Sequence, residues 1–160
     1  MGSTVRTEME DGSRSTLAGQ ALSFLLHSLL ALAIWMGLML AGYAAHPVGV
    51  PQLLILLGSF AAPLIAGFLV ARIHSSEMAG LVWLLGVIWF LIACIVVMDL
   101  PTGPNQCFHC EAVEKITRTF FSLPRPSGLA DNDGPFLGTW PAAALVGYSL
   151  GAKLGFRRAE

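Results

Sequence analysis

Cys107-Phe108-His109-Cys110 is the stretch of this chain whose residue types and spacing could do chemistry. Two thiols three residues apart fall on one face of a helix, close enough to form a disulfide. Asn105 is a fair N-cap, which puts the pair in the first turn of a helix. Unpaired backbone N–H groups there stabilise a thiolate, so Cys107 is the more reactive sulfur, with His109 positioned to tune it. Four chemistries fit. A structural disulfide comes first in an oxidising compartment, although so short a ring removes little chain entropy. A redox-active pair is the second. The third is a zinc site, which needs two ligands beyond Cys107 and Cys110. His109, His46, Asp99, Glu111 or a second subunit are the candidates to supply them. Inert thiols are the fourth. Covalent haem attachment is excluded, because Glu111 stands where that motif needs His.

A second polar group lies in an otherwise apolar run. Gln20, Ser23, His27 and Ser28 gather near one face of the first long helix. A polar side chain at membrane depth needs a partner, and such residues can mark proton or solute routes. The simpler expectation is one interhelical hydrogen bond to a neutral His27, because no second ionisable residue stands at matching depth. The same lack argues against b-type haem: His46 and His74 fall at opposite surfaces. The chain contains no phosphate-binding glycine loop, no H-E-x-x-H and no G-x-S-x-G. Its apolar segments hold no carboxylate pair for acid–base work.

The elements that must position these residues are membrane helices. The chain of 160 residues is 55% hydrophobic and 12% charged, about half the charge of an ordinary soluble domain. Residues 15–71 and 78–98 contain no Asp, Glu, Lys or Arg. Continuous apolar runs of roughly 18 or more residues can cross a bilayer core, and there the backbone must be helical. The spans expected are 17–45, 53–71, 78–98 and 138–156, after a flexible cytoplasmic tail over 1–16. Pro47 and Pro51 bound the first connection, and Pro63 is expected to kink the second helix. The fold expected is all-α: four transmembrane helices in an antiparallel bundle. An amphipathic extracytoplasmic helix lies within loop 99–137, at the membrane surface or over the outer mouth. Its apolar face is read as Phe108, Ala112 or Val113, Ile116 and Phe120. Six basic residues (Arg6, Arg14, Arg72, Lys153, Arg157, Arg158) against three (Lys115, Arg118, Arg125) put both termini in the cytoplasm. A net charge of −1 argues against a nucleic-acid partner.

Small residues recur every fourth position. Ala143, Gly147, Gly151 and Gly155 form a glycine-zipper stripe on the last helix. Ala33, Gly37, Ala41 and Ala45 do so on the first, and Gly58, Ala62 and Ala66 on the second. Lipid supplies little drive for helices to associate, so such stripes are expected to hold the bundle together or to face another copy.

A four-helix bundle carrying C-x-x-C at a helix start resembles the quinone-linked thiol oxidases of the vitamin K epoxide reductase kind. That resemblance implies a quinone and electron relay through a second cysteine pair, whereas here the remaining cysteine is the single Cys94. The function read from the residues is therefore non-enzymatic: a subunit, scaffold or accessory of a membrane assembly, without cofactor. Its expected partners are the lipid bilayer and its own copies or other membrane subunits. A thiol–disulfide oxidoreductase, then a small-solute or metal transporter, are the alternatives. If Cys107 and Cys110 form a disulfide, a mass-tagged maleimide will label them in native membranes only after reduction. Labelling of both without reductant would eliminate that reading.

Overall fold

In the computed structural model, residues 3–45, 52–74, 76–99, 111–121 and 138–156 are described. They form α1 (Ser3–Ala45), α2 (Gln52–Ile73), a 3₁₀ turn (Glu77–Leu81), α3 (Trp83–Asp99), α4 (Ala112–Phe121) and α5 (Thr139–Phe156). No strand occurs among the described residues. Three stretches are long and apolar enough to cross a membrane: Thr16–Gly42, Leu53–Ile73 and Glu77–Met98. They fit an integral membrane protein.

The fourth span expected from sequence, α5, falls outside that set, and its surroundings explain why. Trp140, Pro141, Ala144, Leu145, Gly147, Tyr148, Ser149, Gly151, Ala152 and Gly155 are all buried in it. A helix enclosed by other helices needs no lipid-compatible surface, so small and polar residues replace the leucines and isoleucines of its neighbours. By contrast α1, α2 and α3 keep broad aliphatic faces open, among them Leu25, Leu40, Ile65 and Ile95.

The seam between α2 and α5 is built backbone against backbone. A Cβ added at Gly147 would strike the carbonyl oxygen of Phe60, and one at Gly151 that of Leu64. At Gly155 it would lie 2.8 Å from both the Phe68 oxygen and the Ala71 Cβ. The relation is mutual, since a Cβ at Gly67 would meet the Tyr148 oxygen. Each glycine thus turns a Cα–H toward a carbonyl of the facing helix, a weak hydrogen bond that recurs where helices touch this closely. Residue numbers on the two helices rise together along the seam, so α2 and α5 run in the same direction. The face of α2 in use is not the expected Gly58, Ala62 and Ala66 stripe. It is the neighbouring row Ser59, Pro63, Gly67 and Ala71, every member of which is buried. Gly58 turns instead toward Leu38 of α1, 3.1 Å from an added Cβ. Pro63 lies inside α2 without ending it. Having no N–H, it leaves the Ser59 carbonyl without a helical partner.

The remaining elements close around this pair. Ala31, Ala71, Ala79, Val82, Leu145, Tyr148 and Ala152 form one buried cluster. Trp35, Trp140 and Ala144 form another. Helical structure in α1 reaches back to Ser3, through the polar stretch whose composition predicts a tail. No proline interrupts it there. The third expected helix begins as the 3₁₀ turn, so its α-helical part starts at Trp83 rather than Met78.

The amphipathic helix expected between the third and fourth spans also differs in detail. Rather than lying across the bundle, α4 packs on the distal half of α3, with Phe120 and Ile116 against Phe90, Ala93, Cys94 and Val97. Lys115 Nζ donates to the Met98 carbonyl at 3.0 Å, so α4 runs antiparallel to α3. Val113 is 74% exposed. The inward face of α4 follows Ile116, Thr119 and Phe120, which rotates Val113 out. At the far end, Thr139 Oγ1 donates to the Phe120 carbonyl at 3.1 Å and joins α4 to the start of α5.

Gly151→Ala should destabilise the protein by about 1–3 kcal/mol, because backbone on both sides of the seam leaves nothing flexible to yield. Gly19→Ala, where an added Cβ meets nothing within 4 Å, should cost no stability. Unfolding of the two variants in detergent micelles checks the contrast.

Candidate functional site

Cys107, Cys110, His109 and His46 lie outside the described residues, as do Asn105 and Phe108. The described part of the chain therefore supplies the second polar group of the sequence, the one around His27. Its residues separate on folding. Gln20 is exposed on α1. Ser23 Oγ lies 2.8 Å from Ser76 Oγ, where the chain enters the 3₁₀ turn. Ser28 donates to the Phe24 carbonyl of its own helix at 2.8 Å.

His27 turns into the bundle, where its Nδ1 lies 2.7 Å from the hydroxyl oxygen of Tyr148 on α5. The rings are tilted, 5.8 Å between centroids at 45°. His27 is 8% exposed and Tyr148 is fully enclosed. Among the described residues the tyrosine has no other hydrogen-bond acceptor. Either the hydroxyl or an Nδ1–H can donate in this contact, the imidazole tautomer deciding which. This bond ties the periphery of the bundle to its most enclosed helix.

At the next residue, Ser149 Oγ donates to the Gly80 carbonyl at 2.6 Å. That carbonyl belongs to the 3₁₀ turn, whose geometry leaves such groups short of good helical partners. Ser76 occupies the N-cap position of the turn yet makes no capping bond. Its hydroxyl meets Ser23 instead. Three polar contacts, Ser23–Ser76, His27–Tyr148 and Ser149–Gly80, thus link α1, the 3₁₀ turn and α5.

Reading the sequence missed Tyr148, Ser149 and Ser76. The signal was present: Tyr148 and Ser149 are adjacent polar residues inside a glycine stripe, and a tyrosine hydroxyl is a ready partner for an imidazole. Of the packing residues, Gly147, Gly151 and Gly155 meet α2 as described above, and Ala143 is half-buried beside them. The stripe on α1 does not join the bundle. Ala33, Gly37 and Ala41 are exposed, and a Cβ at Gly37 would meet nothing within 4 Å.

Cys94 is a free, buried thiol beneath α4. Among the described residues, no three of His, Cys, Asp and Glu come together as a metal site would require.

The pair His27–Tyr148 makes a separable test. His27→Phe should cost about 1–3 kcal/mol, because it strands the enclosed tyrosine hydroxyl. Adding Tyr148→Phe should return part of that loss, since both polar partners are then gone. A double-mutant cycle on unfolding in micelles reads the coupling, and strict additivity would remove the bond from the account. Comparison with protein-family models, with curated proteins and with solved structures gave no match in any of the three, so the functional reading rests on this geometry.

Proposed function

We propose that the chain is an integral membrane protein that works without chemistry of its own, as a subunit or scaffold of a membrane assembly. In this reading α5 crosses the bilayer with the three apolar helices. The result is four transmembrane helices whose neighbours in sequence alternate in direction. Both termini lie in the cytoplasm, and the loop over 99–137, with α4, lies on the other side.

The observation that carries the assembly reading is the division of labour among the small-residue stripes. That of α5 is used up on the Ser59, Pro63, Gly67 and Ala71 row of α2, so it builds the bundle. That of α1, Ala33, Gly37 and Ala41, is open. In lipid a stripe of this kind lets another helix approach closely. A second line of support is the use made of the polar side chains at depth. Ser23, His27, Tyr148 and Ser149 are each engaged in contacts that fasten one element to another. A proton or solute route would need such groups to exchange partners. Alternation of direction is supported by residue pairs whose numbers run oppositely on α1 and α5, His27 with Tyr148 and Trp35 with Trp140. They also run oppositely on α3 and α5, where Gly80 meets Lys153 and Gly86 meets Ala142.

Purification of the full chain in a mild detergent tests the proposal. The wild type should elute with a stable partner or as a homo-oligomer. Gly37→Leu should release a folded monomer, because the added side chain meets nothing within the bundle. A wild type that is itself monomeric, or an assembly indifferent to Gly37→Leu and Ala33→Leu together, would defeat it.

A further inference from the structure

The cations at the two ends of the molecule are treated differently. At the α4 end, Lys115 donates to the Met98 carbonyl. Arg118 pairs with Glu114 at 2.6 Å. At the opposite end, Arg72 stands in the last turn of α2 and Lys153 in the last turn of α5. Among the described residues neither has an ion pair or a hydrogen bond, and Glu77 nearby in sequence forms no ion pair with either. Each is parked over an aromatic face instead. The Arg72 guanidinium carbon is 5.0 Å from the centroid of Phe68. Lys153 Nζ is 5.9 Å from that of Trp83. The ring holds one side of the cation and leaves its N–H donors open to an anion.

The surface around these cations is aliphatic. Ile73, next to Arg72, is 87% exposed, and Leu154, next to Lys153, is 43% exposed. Leu81 and Trp83 are open on the same end of α3 and its 3₁₀ turn. An anion with an apolar tail satisfies both features, whereas a free anion satisfies one.

We propose that this end of the molecule binds anionic phospholipids. Arg72 and Lys153 each take a headgroup phosphate, while Ile73 and Leu154 take the first carbons of the acyl chains. The inference rests on the membrane reading above. It adds a partner class and an orientation: the end carrying Arg72 and Lys153 faces the leaflet richer in negative lipid.

The test uses the purified full chain in neutral detergent, with phosphatidylglycerol or phosphatidylcholine added, read by native mass spectrometry and by thermal unfolding. Phosphatidylglycerol should be retained and should raise the unfolding temperature, and phosphatidylcholine should do neither. Arg72→Gln and Lys153→Gln should each weaken retention about fivefold, the equivalent of one basic residue at a charged membrane surface. Lys115→Gln with Arg118→Gln should leave retention unchanged. Both residues of the first pair are exposed, so the variants are expected to fold, and their unfolding curves without lipid verify that. Equal retention of the two lipids, or undiminished retention when Arg72→Gln and Lys153→Gln are combined, would overturn the proposal. An identical shift with inorganic phosphate alone would overturn the lipid as its source. Release of the chain from membranes by alkaline carbonate would defeat the membrane reading itself, a result the lipid arms cannot mimic.

Discussion

Two backbones pressed together hold this molecule in its form. Along the seam of α2 and α5, three glycines of one helix and one of the other replace side chains with Cα–H groups aimed at carbonyls. Lipid tails are as apolar as leucine, so burying leucine against leucine gains little in a bilayer. What remains is dispersion, which falls steeply with distance, and weak polar contact, which needs atoms to touch. Glycine permits both. Its usual cost in a helix, backbone entropy, is lessened where hydrocarbon leaves the chain no alternative to helix. The other elements are arranged on this pair. α1 joins through His27 to Tyr148, α3 through its 3₁₀ turn to Ser149, and α4 through Phe120 to Thr139.

That arrangement explains how far reading the sequence could go. Charge-free runs pick out the three helices long and apolar enough to cross a membrane because the requirement is crude: length, and no unpaired charge. Gly147, Gly151 and Gly155 stand out as a packing stripe because the glycines repeat every fourth position. The facing row could not be read the same way. Ser59, Pro63, Gly67 and Ala71 mix a hydroxyl, an imino acid and two small residues, while Gly58, Ala62 and Ala66 look more uniform one position away. Which row faces inward depends on rotation about the helix axis, and composition does not encode rotation in a helix apolar all round. For α4 the face is legible in Ile116 and Phe120, yet Val113 sits one position off it.

The polar contacts show a related limit. His27 announces itself as a lone imidazole among leucines, but its partner is 121 residues away in the chain. Distance in sequence hides it, and the expected absence of a matching ionisable group arose from counting charged residues and histidines alone. A tyrosine hydroxyl meets the same need without charge. Ser149 was hidden differently, since a serine in a membrane helix is unremarkable until its acceptor, a carbonyl loosened by a 3₁₀ turn, is known.

The common direction of α2 and α5 has an electrical side. Each helix carries a macrodipole worth about half an elementary charge at either end. Two parallel helices in close contact bring like ends together, an arrangement that low-dielectric surroundings make unfavourable. Arg72 and Lys153 stand where both negative ends emerge. The seam therefore polarises the bundle along its axis, and the basic residues at that end compensate the charge its own packing creates.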